Sequence, residues 1–72
     1  MPNKPAAKYR IGYVTATVWK NDSGGTKFYT VNLSRSYKDE SGEWKETDGL
    51  GHGDLLNAVL VLTRAEEWIA DQ

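Results

Sequence analysis

The chain contains no cysteine and a single histidine, His52, which excludes disulfide staples and thiolate metal centres and argues against a structural zinc site. It also lacks the groups that most enzymes need. There is no thiol nucleophile, no Ser-His-Asp order and no lysine-bearing phosphate loop. The glycine-rich stretch Gly49 to Gly53 (GLGHG) has no lysine and no preceding buried strand, both of which a phosphate cradle requires. Glu66 and Glu67 are adjacent and so point apart on a helix, which suits solvated side chains better than a catalytic pair. The expectation is a protein without catalytic residues, metal or cofactor.

Long hydrophobic runs are missing as well. Nothing approaches the roughly 18 to 20 apolar residues of a membrane span, and Met1 to Lys8 is too short and too polar for a signal peptide. No membrane partner is expected, and the setting that fits is cytoplasmic, beside the nucleoid if the source is bacterial. The 72 residues make one domain. A chain of this size buries only about 60% of its unfolded surface, so a partner copy would relieve a marginal core.

The net charge of -1 conceals a division. Up to Lys38 the basic residues are Lys4, Lys8, Arg10, Lys20, Lys27, Arg35 and Lys38, against the single acid Asp22. From Asp39 onward only Lys45 and Arg64 are basic, against nine acids. Such asymmetry orients an anionic ligand toward the first half of the chain.

Residues 1–7 carry two prolines and no apolar pattern and read as a disordered arm ahead of a single domain over 8–72. Tyr9 to Trp19 is rich in β-branched and aromatic types and reads as one strand. Its alternation changes phase at Gly12, where a bulge would restore Ile11, Val14, Ala16 and Val18 to one face. Asn21 to Gly25 (NDSGG) is a turn, and Lys27 to Tyr37 is the returning strand, with Tyr29, Val31 and Leu33 apolar and the even positions mostly hydroxyl or amide. After a second turn over Lys38 to Gly42, Glu43 to Thr47 reads as a third strand and Thr47 to Leu50 as a weak fourth.

Asp54 then opens a helix, with Gly51 or His52 as its cap. From Leu55 to Ala70, Leu55, Val59, Leu62 and Ile69 form an apolar stripe expected to cover the sheet. Leu56 and Leu60 on one flank, with Val61 and Trp68 on the other, leave more apolar surface than one small sheet can cover, so these four are the expected dimer contacts. The fold class is therefore α+β: a four-stranded antiparallel meander followed by one C-terminal helix, paired as a homodimer through its helices.

The face opposite the core combines Tyr13, Thr15, Thr17 and Trp19 with Phe28, Thr30, Asn32 and Ser34, polar in the middle and aromatic at its ends. Aromatics that stack on bases and cations that follow phosphates hold single-stranded nucleic acid. Trp19 with Lys20, Lys27 with Phe28, and Arg35 with Tyr37 set an aromatic beside a cation three times. The simplest competing role for Trp19 and Phe28 is a cross-strand pair beside the turn, worth about 0.2–1 kcal/mol. Arg35 and Tyr37 share parity with the core residues and reach the open face only if the strand bends or outruns the helix. For Trp44 and Trp68, packing in the core or dimer is the expectation, and a small protein-binding dimer is the alternative function.

Four strands and a helix, a strand ending in Arg35-Ser36-Tyr37, the acidic turn Asp39 to Glu43 and then Trp44-Lys45 resemble the core domain of the positive cofactor 4 family of single-stranded DNA-binding transcription coactivators. Tyr9-Arg10-Ile11-Gly12 is similar to that family's opening. The resemblance implies a helix-mediated homodimer whose sheets take unpaired DNA in transcription or replication. It implies contacts from Trp19, Lys20, Lys27, Tyr37 and Lys45. Where that family continues with basic residues, this chain has Glu46, Thr47 and Asp48, implying weaker binding and a shallower salt slope. Ser36 to Asp39 with Gly42 to Thr47 also resembles a hairpin of bacterial single-stranded DNA-binding proteins of the OB fold, although this chain is too short for that barrel.

Overall fold

The computed structural model describes residues 4–72, and residues 1–3 of the expected arm over 1–7 lie outside them. Four strands and one helix follow in chain order: β1 (Ala7–Ile11), β2 (Val14–Ser23), β3 (Thr26–Lys38), β4 (Trp44–Thr47) and α1 (Leu55–Ala70). All neighbours are antiparallel, in the order β1-β2-β3-β4. The expected α+β meander is the fold. Its first strand starts in the stretch expected to be an arm, with the Ala6 amide already donating to the Val18 carbonyl at 2.8 Å.

The count of four is reached differently from the expectation. Tyr9 to Trp19 is not one bulged strand but two strands reversed at Gly12 and Tyr13, with Ile11 opposite Val14. Gly12 has φ +60° while no non-glycine residue has positive φ, the pattern of a two-residue turn with glycine first. A two-residue reversal shifts face parity just as a bulge does, because odd residues of β1 lie opposite even residues of β2. The phase change was real and admitted both geometries. Gly24 and Gly25, both at positive φ, close the next hairpin by the mirror-image turn that suits strand twist. Thr47 to Leu50 does not extend into a further strand.

The core joins Val14, Ala16 and Val18 of β2 to Ala58, Val61 and Ala65 of α1, with Tyr9, Ile11, Val31, Leu33 and Ile69 packed around them. This corrects the expected helix orientation. Val61 is fully buried, and Trp68 sets its ring edge-on to Tyr29 at 5.5 Å, so both belong to the sheet contact and not to a dimer flank. Leu55, Val59 and Leu62, expected to cover the sheet, are exposed together with Leu56 and Leu60. Small residues explain the rotation: Ala58 and Ala65 let the helix approach the sheet closely, while the larger leucines have no room there.

Before the helix, a 3₁₀ turn over His52–Asp54 is closed by two bonds. The Asp54 amide donates to the Gly51 carbonyl, and the Gly51 amide donates to Asp54 Oδ2, each at 2.9 Å. The helix lies across β1 and β2 more than β3, leaving Tyr29, Val31 and Leu33 half-buried. β4 pairs only with Arg35 to Lys38, so among the described residues the outer edge of Thr26 to Ser34 has no strand beside it. The Cα radius of gyration is 13.9 Å, above the roughly 11 Å of a compact chain of this length.

Candidate nucleic-acid interface

Strand alternation decides which predicted side chains meet. Directly opposed residues of an antiparallel pair share a face. Thr15, Thr17, Trp19 and Asn21 of β2 thus share the open face with Ser34, Asn32, Thr30 and Phe28 of β3. Lys8 and Arg10 join them from β1, and Ser36, Lys38, Trp44 and Glu46 from the β3-β4 ladder. The floor is cross-linked in part, Asn21 Nδ2 donating to Thr30 Oγ1 at 3.0 Å.

Trp19 and Phe28 stand on this face near the β2-β3 turn, two rungs apart in the ladder and so diagonal neighbours on one face. Phe28 is exposed and Trp19 half-buried. The Trp19 Nε1 atom is buried and has no hydrogen-bond partner, an arrangement that costs about 1–3 kcal/mol. Between the rings and β4 runs a shallow cavity of about 290 Å³ bordered by Lys8, Thr17, Trp19, Asn32, Ser34 and Glu46. Thr15, expected to contact ligand, also lines this cavity, at its bottom, where it is only 7% exposed.

The cations expected beside those aromatics fall elsewhere. Lys20 is opposite Tyr29, and Lys27 opposite Asp22, which puts both on the helix side of the sheet. Adjacent residues on a strand point to opposite faces, so an aromatic-cation dipeptide cannot present both groups to one ligand without a bulge. Arg35, Tyr37 and Lys45 share that helix side. Arg35 is engaged within the chain: its Nε donates to the Gly49 carbonyl at 3.1 Å, lies 3.3 Å from Asp54 Oδ2, and its guanidinium sits 5.9 Å from the Tyr37 ring centre. Lys45 Nζ is 3.2 Å from Asp39 Oδ2.

Asp39 organises the acidic turn. Its Oδ1 accepts from the Ser41 amide, the Ser41 hydroxyl and the Glu43 amide at 3.0, 2.8 and 2.9 Å. The Ser41 hydroxyl first, then the Glu43 amide, with Lys45 adding to them, hold its carboxyl below the usual carboxylate range. The turn is a structural device that fixes where β4 begins.

The expected site therefore divides. Tyr13, Thr15, Thr17, Trp19, Phe28 and Asn32 share the open side. Arg35 and Tyr37 meet Tyr13 only at the β4 end, where they line a hollow with Lys38 and Trp44. Lys20, Lys27 and Lys45 do not join the face. The cations that do are Lys8, Arg10 and Lys38, opposed by Glu46. Trp44 was expected in the core or a dimer contact, yet it is 58% exposed and its ring lies 5.6 Å from that of Tyr13. Parity held the signal: across the loop from Asp39 to Glu43, Lys38 and Trp44 are opposed, so even residues of both strands share a face.

No family model matches the chain, and no curated protein or solved structure is significantly similar to it. Among the described residues no three potential ligands cluster to hold a metal ion, and no helix is long and apolar enough to cross a membrane.

Proposed function

We propose that this protein binds single-stranded nucleic acid on the open face of its sheet, without catalysis and as a homodimer. The observation that carries the reading is the face itself: Trp19 and Phe28 share one end of it, above a floor of hydroxyls and amides. Rings of that kind stack on any base, and such a floor supplies tolerant hydrogen bonds. Lys8, Arg10 and Lys38 supply the phosphate contacts. With so few cations on the face, the salt dependence is shallow, because each phosphate contact adds only about one unit or less to the slope. The resemblance to the positive cofactor 4 family favours DNA over RNA and an accessory role in transcription or replication.

The homodimer rests on the helix. Leu55, Leu56, Val59, Leu60 and Leu62 are 39–77% exposed in one contiguous band, and a self-complementary apolar patch suits a two-fold interface. The small core and the elongated shape support it. Leu56 and Leu60 remain its expected contacts; Val61 and Trp68 do not.

The deciding experiment is fluorescence anisotropy of a labelled, unstructured oligodeoxythymidylate across a salt series, with duplex as comparison. Binding of the single strand that weakens as salt rises supports the reading. No binding at low salt overturns it and favours a protein-binding face, which the carboxylate of Glu46 on that surface suits. Sedimentation equilibrium tests the pairing, a species of 8.1 kDa at micromolar concentration being enough to reject it.

A further inference from the structure

The face carries a second aromatic feature away from Trp19. Tyr13 stands in the β1-β2 turn, its carbonyl accepting from the Ser36 amide at 2.9 Å, and Trp44 opens β4. Their rings are 5.6 Å apart and inclined by 31°. Both are more than half exposed, at 53% and 58%, so much of their ring surface faces solvent. A concavity of about 390 Å³ is lined by Arg10, Tyr13, Ser36 and Trp44. Another of about 470 Å³ uses the same two rings and Ser36, with Arg35, Tyr37 and Lys38 completing its wall. Arg10 is held in place there, its Nε donating to the Gly12 carbonyl at 2.9 Å.

We infer that Tyr13 and Trp44 form a second stacking platform that takes an unpaired nucleobase, with Arg10 and Lys38 meeting the phosphates on either side of it. The inference rests on the single-strand reading above and adds a site at the opposite end of the face. Three properties support a base as the occupant. The rings offer an exposed π surface, each hollow has a cation beside an aromatic wall, and Ser36, which lines both hollows, has a hydroxyl that can bond any base edge. Glu46, directly opposite Ser36, borders the floor cavity together with Lys8, so Arg10 and Lys38 are the cations that stand at the Tyr13 and Trp44 end of the face.

Two platforms make length the diagnostic. A strand of about 4 nucleotides occupies one platform, whereas one near the upper end of the range of about 4–16 for single-strand sites spans both. Trp44→Ala is expected to weaken binding of the longer strand about tenfold, while Trp44→Phe retains most of it. A second readout guards against a mere folding defect. In a Trp19→Phe background, the exposed emission belongs to Trp44 and is quenched by the oligodeoxythymidylate. Adding Trp44→Phe to that background removes the quench, while the thermal melt stays in place. If the original chain binds the long strand but Trp44 emission does not change and Trp44→Ala binds equally well, the platform is overturned and the single-strand reading stands. If the original chain binds no strand of either length, both fall.

Discussion

Arg35 lies 3.3 Å from Asp54, and this contact ties the C-terminal part of β3 to the turn that starts the helix. The same guanidinium also reaches the Gly49 carbonyl, so one side chain orders the whole connection between β4 and α1. Arg35→Ala is expected to lower stability by about 1 kcal/mol, the scale of a partly exposed charged hydrogen bond. Affinity for single strands should stay within about twofold of the original chain. Urea denaturation and an anisotropy titration of the same sample check both halves; a large affinity loss in a stable protein would restore Arg35 as a phosphate contact.

Trp19 and Lys20 separate cleanly because they point to opposite sides of the sheet. Trp19→Ala is expected to weaken strand binding about tenfold, within the range of one lost base stack. Lys20→Ala should leave binding nearly unchanged. Trp19→Phe removes the unpartnered indole donor and is expected to hold or raise the melting temperature. Equal affinity losses at both positions would contradict the register that places them.

The acidic turn should be acid-sensitive. The Asp39 carboxyl titrates lower in the folded chain than when unfolded, so the folded state favours its charged form and its contribution is complete above the unfolded value near 3.9. That contribution is lost as pH falls below 3.9 toward and through the folded value. Asp39→Asn should abolish this part of the pH dependence and speed exchange of the Ser41 and Glu43 amides. Backbone NMR against pH measures it, and identical exchange in the variant would reject the role.

Gly12 is constrained twice. Its φ is +60°, and an added Cβ would sit 3.1 Å from Asn57 Nδ2. Gly12→Ala is expected to cost about 1–2 kcal/mol from the left-handed backbone, with the Asn57 amide having to yield as well. Gly25→Ala, with no atom within 4 Å of its added Cβ, isolates the backbone part. Comparing their denaturation midpoints separates strain from contact.

The two sides of the helix should respond in opposite ways. Val61→Ala removes buried methyl groups and is expected to cost about 2 kcal/mol. Leu56→Glu with Leu60→Glu should leave each subunit folded and shift sedimentation to the monomer. Unfolding of the glutamate variant at a concentration where the original chain is dimeric would indicate that the pair is needed for folding itself.

Local composition was enough to read an antiparallel meander and a terminal helix, because turn residues and β-branched runs alternate plainly, although β1 and β2 read as one strand and a fourth was expected at Thr47 to Leu50. It was not enough to choose between a bulge and a reversal at Gly12, which produce the same parity change. Helix periodicity identified α1, but its sheet-facing side was misjudged because leucines outnumber the small residues that permit close approach. The open face was legible wherever alternation ran unbroken, as for Trp19, Phe28 and Asn32. Lys20 and Lys27 were misplaced by reading neighbours in sequence as neighbours on a surface. Trp44 was missed because its face depends on the length of the Asp39 to Glu43 loop, a non-local property.

The bare flank of β3 has a consequence for what this stretch can tolerate. Nine residues, Thr26 to Ser34, offer backbone donors and acceptors to any passing strand, the usual origin of insoluble sheet stacking. What keeps the flank harmless is the alternation of Thr30, Asn32 and Ser34 with Tyr29, Val31 and Leu33. Replacing Asn32 by valine would create the uninterrupted run Val31 to Leu33 beside two aromatics. The polar residues that floor the proposed binding surface would thus also oppose edge-to-edge pairing, and the Asn32→Val variant is expected to aggregate more readily in a light-scattering assay.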